Sequence, residues 1–171
     1  MAGKELNKLS YGLYVTGVRD EANDRVTGHI CDAVAQLSMG EKPQVVVSIM
    51  NKNYTKDCIE KSGEFTLSVL PDTVDPFVIG NFGFQSGKDV SKWPNVPHNV
   101  VDGLPILCEA VSYVRLKVID KRVMDSHTAF FCEAIGGEVL HEDKTPLIYA
   151  DYFKELKDLV MAAFTAFKEA Q

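Results

Sequence analysis

Residues 44–58 read Gln-Val-Val-Val-Ser-Ile-Met-Asn-Lys-Asn-Tyr-Thr-Lys-Asp-Cys. The apolar, β-branched run Val45, Val46, Val47 and Ile49 calls for a strand, because such side chains pack well on a pleated surface. The polar turn Asn51-Lys52-Asn53 ends it. A helix start follows, with Thr55 expected as N-cap and Asp57 in the first turn. A strand that delivers asparagine, lysine and threonine to a helix N-terminus is suited to an anion. Free backbone N–H groups and the positive end of the helix dipole meet it there, and Lys52 adds a full charge. An ordinary strand–turn–helix connection has the same pattern, so the rest of the chain decides.

Upstream, Leu9–Val18 reads as a strand and the charged Arg19–Arg25 as a turn. Val26–Leu37 reads as the returning strand of a hairpin. Gly28 inside it signals a bulge or a close backbone approach. Downstream, a short helix near Lys56–Lys61 stops at Gly63. Glu64–Leu70 then alternates Phe65, Leu67 and Val69 against Thr66 and Ser68. Asp72–Phe82 is expected as a second short helix, with Thr73 as its cap and Pro76 in the first turn. Gly83–Gly103 is the longest irregular stretch, and loops of that length are usually functional or mobile. Tyr113–Val123 and Thr128–Leu140 are strong strands, the second bent or bulged at Gly136-Gly137. Asp151–Glu169 is helical, with Leu156, Leu159, Val160, Ala163, Phe164 and Phe167 recurring every three or four residues. That helix is either core cover or a dimer contact. No repeat or linker divides the chain. The expectation is one domain over residues 1–171, mainly β, a β-barrel with peripheral helices and a C-terminal helix at about 151–169.

Composition narrows the partners. With 171 residues, 46% apolar and 25% charged, the chain can bury a proper core. Its net charge of -6 makes nucleic acid or an anionic membrane surface a poor match. No apolar run is long enough to span a bilayer, and Met1-Ala-Gly-Lys-Glu-Leu lacks a basic-then-apolar signal pattern, so the expected location is cytoplasmic. Cys31, Cys58, Cys108 and Cys132 are far apart, without a Cys-x-x-Cys pair. Three of them read as buried, reduced thiols rather than a metal or redox site. His29, His98, His127 and His141 are equally scattered, and no metal site is expected.

Seven segments in order then point to a family. They are Leu9-Ser-Tyr-Gly-Leu-Tyr-Val-Thr with Gly28-His-Ile-Cys-Asp-Ala-Val-Ala-Gln-Leu-Ser, Val47-Ser-Ile-Met-Asn-Lys-Asn-Tyr-Thr, Ser62-Gly-Glu-Phe, Ser68-Val-Leu, Ile79-Gly-Asn-Phe-Gly-Phe-Gln-Ser-Gly-Lys-Asp-Val-Ser-Lys-Trp, His127-Thr-Ala-Phe-Phe and Pro146-Leu-Ile-Tyr-Ala-Asp-Tyr. Over roughly Leu6–Leu156 the chain resembles the flavin reductase-like, FMN-binding split-barrel proteins: NADH:FMN oxidoreductases, flavoredoxin and the flavin domain of high-molecular-weight rubredoxins. The resemblance implies a homodimer with one non-covalent FMN per subunit near the interface. It implies that His29, Ile30, Cys31, Asp32 and Ala33 lie along the isoalloxazine edge. It also implies that Ser48, Asn51, Lys52, Asn53 and Thr55 hold the ribityl chain and phosphate. Phe84, Ser86, Lys88, Asp89, Lys92 and Trp93 would fold over the cofactor, with His127, Tyr149 and Tyr152 near the ring or across the interface.

The chain departs from that pattern at Asp32-Ala33, where related sequences often carry asparagine followed by threonine or serine. A carboxylate beside a ring that gains negative charge on reduction lowers the flavin potential. If Asp32 points away instead, Ala33 forfeits one hydrogen bond, about 1 kcal/mol. His29 stands where relatives often have a smaller residue. An imidazole titrates near neutrality in water, so His127 is the one candidate proton donor. No essential catalytic side chain is expected otherwise.

The functional expectation is an FMN-dependent oxidoreductase. It takes electrons from NAD(P)H or a redox-protein donor and passes them to flavin, ferric iron or a redox partner. No Gly-rich dinucleotide fingerprint is present, so a nicotinamide would stack directly on the flavin. The alternatives are a non-catalytic FMN electron carrier, and a barrel that has lost FMN and binds haem or another anion.

Overall fold

The computed structural model describes residues 5–171, so the reading of the leader pattern at residues 1–4 lies outside the described residues. The strands are β1 (Tyr14–Asp20), β2 (Arg25–Thr27), β3 (Ile30–Cys31), β4 (Val34–Gln36), β5 (Gln44–Met50), β6 (Glu64–Val69), β7 (His98–Val101), β8 (Leu104–Leu107), β9 (Ser112–Val123) and β10 (His127–Val139). The helices are α1 (Tyr54–Ser62), α2 (Pro76–Gly83), α3 (Tyr149–Asp151) and α4 (Lys157–Glu169), with a π-helical turn at Tyr152–Leu156 joining the last two.

One sheet runs β2-β1-β6-β9-β10-β5-β4, and β3 also pairs with β1. Residues 25–36 are therefore not one returning strand. Their first part pairs with β1, in a register of Val18 opposite Thr27 and Tyr14 opposite Cys31. Their last part pairs with β5, Val34 opposite Val47. Asp32-Ala33 is the crossing point, and because β3 and β4 are covalently joined, the sheet closes on itself as a split barrel. Periodicity could not reveal that change of partner. Gly28 does mark a close approach, since a Cβ there would collide with the Thr16 carbonyl oxygen.

Two apolar clusters hold the fold. One fills the barrel, with Val18, Val47, Ile49, Ile59, Phe65, Leu67, Leu116 and Phe130, together with the free, buried thiols of Cys31, Cys58 and Cys132. The other lies between the barrel and α2, around Leu13, Val15, Val78, Ile79, Phe82, Trp93 and Val160. The first strand begins at Tyr14 and continues through Arg19 to Asp20, later than the apolar pattern suggests. Thr66 and Ser68, on the polar face of β6, are buried as well. The β7–β8 hairpin covers them, with the Thr66 hydroxyl donating to the Pro105 carbonyl (2.6 Å) and the Leu107 N–H donating to Ser68 Oγ (3.2 Å). The bulge expected at Gly136 is present as a register shift between β9 and β10.

Both expected helix caps move. Asn53, not Thr55, caps α1: its side chain accepts from the Thr55 N–H, and Gly63 ends the helix in the left-handed region (φ 70°). Asp75, not Thr73, caps α2, with Pro76 at the first helical position. The terminal helix packs on α2 through ring contacts of Phe77 with Phe167 (4.7 Å) and of Phe84 with Phe164 (5.6 Å). On that side it covers part of the core, while Leu159 and Met161 remain exposed on its outer side. Among the described residues no helix is long and apolar enough to cross a membrane.

Candidate functional site

Where the barrel splits, three recesses of about 290, 210 and 240 Å³ run together around Ile30. The first is lined by His29, Ile30, Met50, Lys52, Asn53, Tyr54, Phe82, Gly83, Gln85, Ser86, Gly87 and Lys92. Among the described residues it has two lysines and no carboxylate. The second carries Cys31, Asp32, Phe84, Tyr149 and Tyr152, and the third carries Cys31, Asp32, Ser48, Met50 and His127.

The first recess is rich in unused donors. The turn after β5 spends the Asn53 N–H on the Met50 carbonyl (2.9 Å), and the cap spends the Thr55 N–H on Asn53 Oδ1 (3.0 Å). The loop after α2 spends the Lys88 N–H on Ser86 Oγ (3.1 Å) and the Asp89 N–H on the Ser86 carbonyl (3.2 Å). Among the described residues, the amides of Lys52, Tyr54, Ser86 and Gly87 donate to no protein acceptor. Four such N–H groups, a helix N-terminus and the Lys52 ammonium surround one recess. That is an arrangement for a phosphate or another anion.

A second set of free backbone groups lies along β3. The Thr16 N–H donates to the His29 carbonyl (3.0 Å), and alternation along an antiparallel ladder then turns the N–H and C=O of Ile30 and the N–H of Asp32 away from β1. Among the described residues no strand pairs with that outer edge. The edge can read the donor and acceptor pattern of a planar heterocycle.

Burial shapes three titratable groups in the wall. His29 is buried, with Nδ1 2.8 Å from Thr16 Oγ1; burial, reinforced by the nearby Lys92 charge, pushes its pKa down to about 3, so the imidazole is neutral. Lys92 is buried with its Nζ donating to the carbonyls of Gly28 (3.1 Å) and Phe82 (2.9 Å), and burial lowers its pKa to about 8. Burial pushes the Cys31 thiol far up, so it is no thiolate beside the groove.

The structure brings together His29, Ile30, Cys31, Asp32, Ser48, Lys52, Asn53, Phe84, Ser86, Lys92, His127 and Tyr149, with Tyr152 beside them. Six other expected residues lie outside the recesses. The Ala33 carbonyl accepts from the Ser48 N–H (2.9 Å) and helps close the barrel. Asn51 donates to the Met124 carbonyl (2.7 Å) and accepts from the Thr128 hydroxyl (2.7 Å), tying β5 to the β9–β10 turn. Thr55 is buried, with an Oγ1 that has no partner among the described residues. Lys88 and Asp89 are exposed and line none of the three recesses. Trp93 is fully buried; its indole N–H donates to the Thr27 carbonyl (3.0 Å) and its ring meets Phe82 edge-on. Met50, Tyr54, Phe82, Gln85 and Gly87 line the first recess without having been expected. All but Phe82 stand next to an expected residue in the chain, which was the available signal.

Known proteins share this fold and identify its family. The family model of the flavin reductase like domain matches residues 6–156. The chain is 34% identical over 167 residues to the ferric-chelate reductase (NAD(P)H) of Archaeoglobus fulgidus, covering 96% of each chain. It is 30% identical over 159 residues to the high molecular weight rubredoxin of Moorella thermoacetica, covering 92% of this chain and 67% of the other. Among solved structures, the NADH:FAD oxidoreductase of Streptomyces globisporus superposes with a TM-score of 0.77 at 16% identity, over 85% of this chain and 84% of that one. The FMN-binding protein of Thermus thermophilus gives 0.71 at 24% identity, over 84% and 78%. Both share the split-barrel fold. The chain belongs to the flavin reductase-like family and is a flavoprotein oxidoreductase.

Proposed function

We propose that the chain binds one FMN across the three recesses, accepts electrons from NAD(P)H, and passes them to free flavin, a ferric chelate or a redox protein. The observation that carries this reading is the polarity of the groove. One end offers four unpaired amides and Lys52, the middle offers the free edge of β3, and the far end is aromatic, with Phe84, Tyr149 and Tyr152. That sequence of surfaces fits a phosphate, a polyol and a flat ring in order.

Bound FMN would supply a ring that takes up a hydride and releases electrons one or two at a time. The chain's own residues bind, orient and screen. Lys52 and the amides of Lys52, Tyr54, Ser86 and Gly87 hold the phosphate. Ser48 and Asn53 face the polyol. The N–H and C=O of Ile30 and the N–H of Asp32 fix the ring edge, and the buried ammonium of Lys92 places a positive charge behind it. His127, at the open third recess, is positioned to exchange a proton with solvent. Orientation of donor against ring supplies the rate. The family resemblance supports a homodimer, with the exposed apolar side chains of Ile148 and Phe153, near Tyr149, as the surface to pair.

The test is an absorbance spectrum of the purified protein, followed by anaerobic reduction with NADH and with NADPH and a turnover assay with ferric chelate. A bound flavin band with many turnovers supports the reductase. A single stoichiometric reduction supports the carrier reading, which the likeness to high molecular weight rubredoxin favours. A protein that takes up no flavin overturns both.

A further inference from the structure

Asp20, at the end of β1, lines none of the three recesses, yet it connects the two segments that wall the first. Its side chain is 1% exposed. Oδ1 accepts from the Tyr54 hydroxyl (2.9 Å), while Oδ2 accepts from Asn23 Nδ2 (2.8 Å) and Arg25 Nε (3.2 Å). Arg25 reaches onward: its Nη2 donates to the carbonyls of Gly87 (2.6 Å) and Lys88 (3.0 Å). One buried carboxylate thus ties the first residue of α1 to the loop after α2.

Both tied segments carry unpaired amides of the anion recess. Tyr54 belongs to the α1 side and Gly87 to the loop side. The loop peptides cannot turn freely. Arg25 holds the carbonyls of Gly87 and Lys88, and Ser86 takes the N–H groups of Lys88 and Asp89, which leaves the amides of Ser86 and Gly87 unspent. Gly87 is further confined because a Cβ there would collide with Thr27 Oγ1. Burial alone would raise the Asp20 pKa, but the hydrogen bonds from Asn23, Tyr54 and Arg25 outweigh it and hold the carboxyl below its ordinary value. Placing a negative charge behind an anion recess costs affinity unless the charge is compensated, and Arg25 compensates it. What the arrangement gains is a fixed distance between two sets of donors.

We propose that Asp20, acting through Tyr54 and Arg25, is a positioning residue that sets the spacing of the phosphate cradle. It thereby makes the groove select a phosphorylated flavin over riboflavin. This rests on the flavin reading given above. A residue that only supported the fold would affect both flavins alike.

The experiment measures dissociation constants for FMN and for riboflavin, by quenching of flavin fluorescence, on the full chain and on Asp20→Asn, Tyr54→Phe and Arg25→Gln. The thermal midpoint of each is recorded alongside. In the wild type FMN binds more tightly than riboflavin. In each variant FMN affinity falls about tenfold, equivalent to roughly 1.4 kcal/mol of lost phosphate contact, and riboflavin affinity stays within about twofold of wild type. Equal losses for the two flavins, no loss for either, or a wild type without preference would overturn the proposal. A wild type that takes up neither flavin overturns the flavin reading itself, and the proposal with it. If Asp20→Asn fails to fold, Tyr54→Phe and Arg25→Gln decide alone, since each breaks one arm of the network at a residue that is only half-buried.

Discussion

The buried ammonium of Lys92 donates to the carbonyl oxygen of Gly28 across 3.1 Å. The same Nζ donates to the Phe82 carbonyl, at the C-terminal end of α2, where the helix dipole favours a cation. Lys92 therefore fastens α2 to the strand edge that borders the groove. Lys92→Met leaves two buried carbonyls without donors and is expected to destabilise the fold by about 2 kcal/mol at pH 7. The pH dependence has a definite sign. Burial places the native pKa at about 8, below the ordinary 10.5. Between those values the native state is neutral at Lys92 while the unfolded chain keeps its proton, so stability rises with pH across that window. Denaturant unfolding at pH 7 and pH 10 checks this: the wild type gains stability relative to Lys92→Met at the higher pH. A constant difference would mean that Lys92 is not buried as a cation.

Two glycines near the groove are expected to respond differently to the same added methyl. At Gly87, a Cβ meets the hydroxyl of Thr27, a side-chain group that can be removed. Gly87→Ala should destabilise by about 2 kcal/mol through overpacking, and Thr27→Ala in the same chain should restore most of the loss. At Gly28, the Cβ meets the backbone carbonyl of Thr16, which no side-chain change removes. Gly28→Ala is expected to be the more damaging and to resist rescue by Thr27→Ala. Thermal melts of the four variants measure both statements.

Trp93 shows what a sequence can and cannot place. A tryptophan in a polar, glycine- and proline-rich loop invites a role against a ligand, but the loop folds inward there. The ring fills the layer between Phe82 and His98, and the indole N–H satisfies the Thr27 carbonyl. Trp93→Phe is expected to lower stability by about 2 kcal/mol, from the orphaned carbonyl and the lost volume. The position of the bound-flavin absorbance band should stay unchanged. A shifted band with unchanged stability would put the indole in the groove after all.

Legibility followed the range of the interaction. The strand at Gln44–Met50, the stop at Gly63 and the bulge at Gly136 depend on neighbours in sequence, and all three were readable. The choice between Asn53 and Thr55 as cap was not, because two competent caps stand two residues apart and only the turn geometry separates them. The burial of Thr66 and Ser68 depends on a hairpin some forty residues away that no local pattern announces. In the groove, Lys52, Asn53 and Ser86 were legible because their neighbours are turn-forming and polar. The Asp20–Arg25–Gly87 connection was not, because it is made entirely by contacts across the fold.

The contact between α2 and the terminal helix offers a case where packing and helix propensity oppose each other. Gly80 lies inside α2, where alanine is the better helix former by about 1 kcal/mol. A Cβ at Gly80 would nevertheless stand 2.8 Å from Cβ of Phe164 on α4. That neighbour belongs to a helix held by Phe77–Phe167 and Phe84–Phe164 contacts, so it cannot yield cheaply. Gly80→Ala alone is therefore expected to destabilise, by about 1 kcal/mol net of the propensity gain. Because Phe84 lines the second recess, the displaced helix should also weaken whatever that recess holds. Phe164→Gly removes the opposing Cβ at its own cost, and in that background Gly80→Ala should become stabilising. A double-mutant cycle by chemical unfolding measures the change of sign. If Gly80→Ala stabilises the otherwise unaltered chain, the terminal helix does not sit against α2 as closely as these residues indicate.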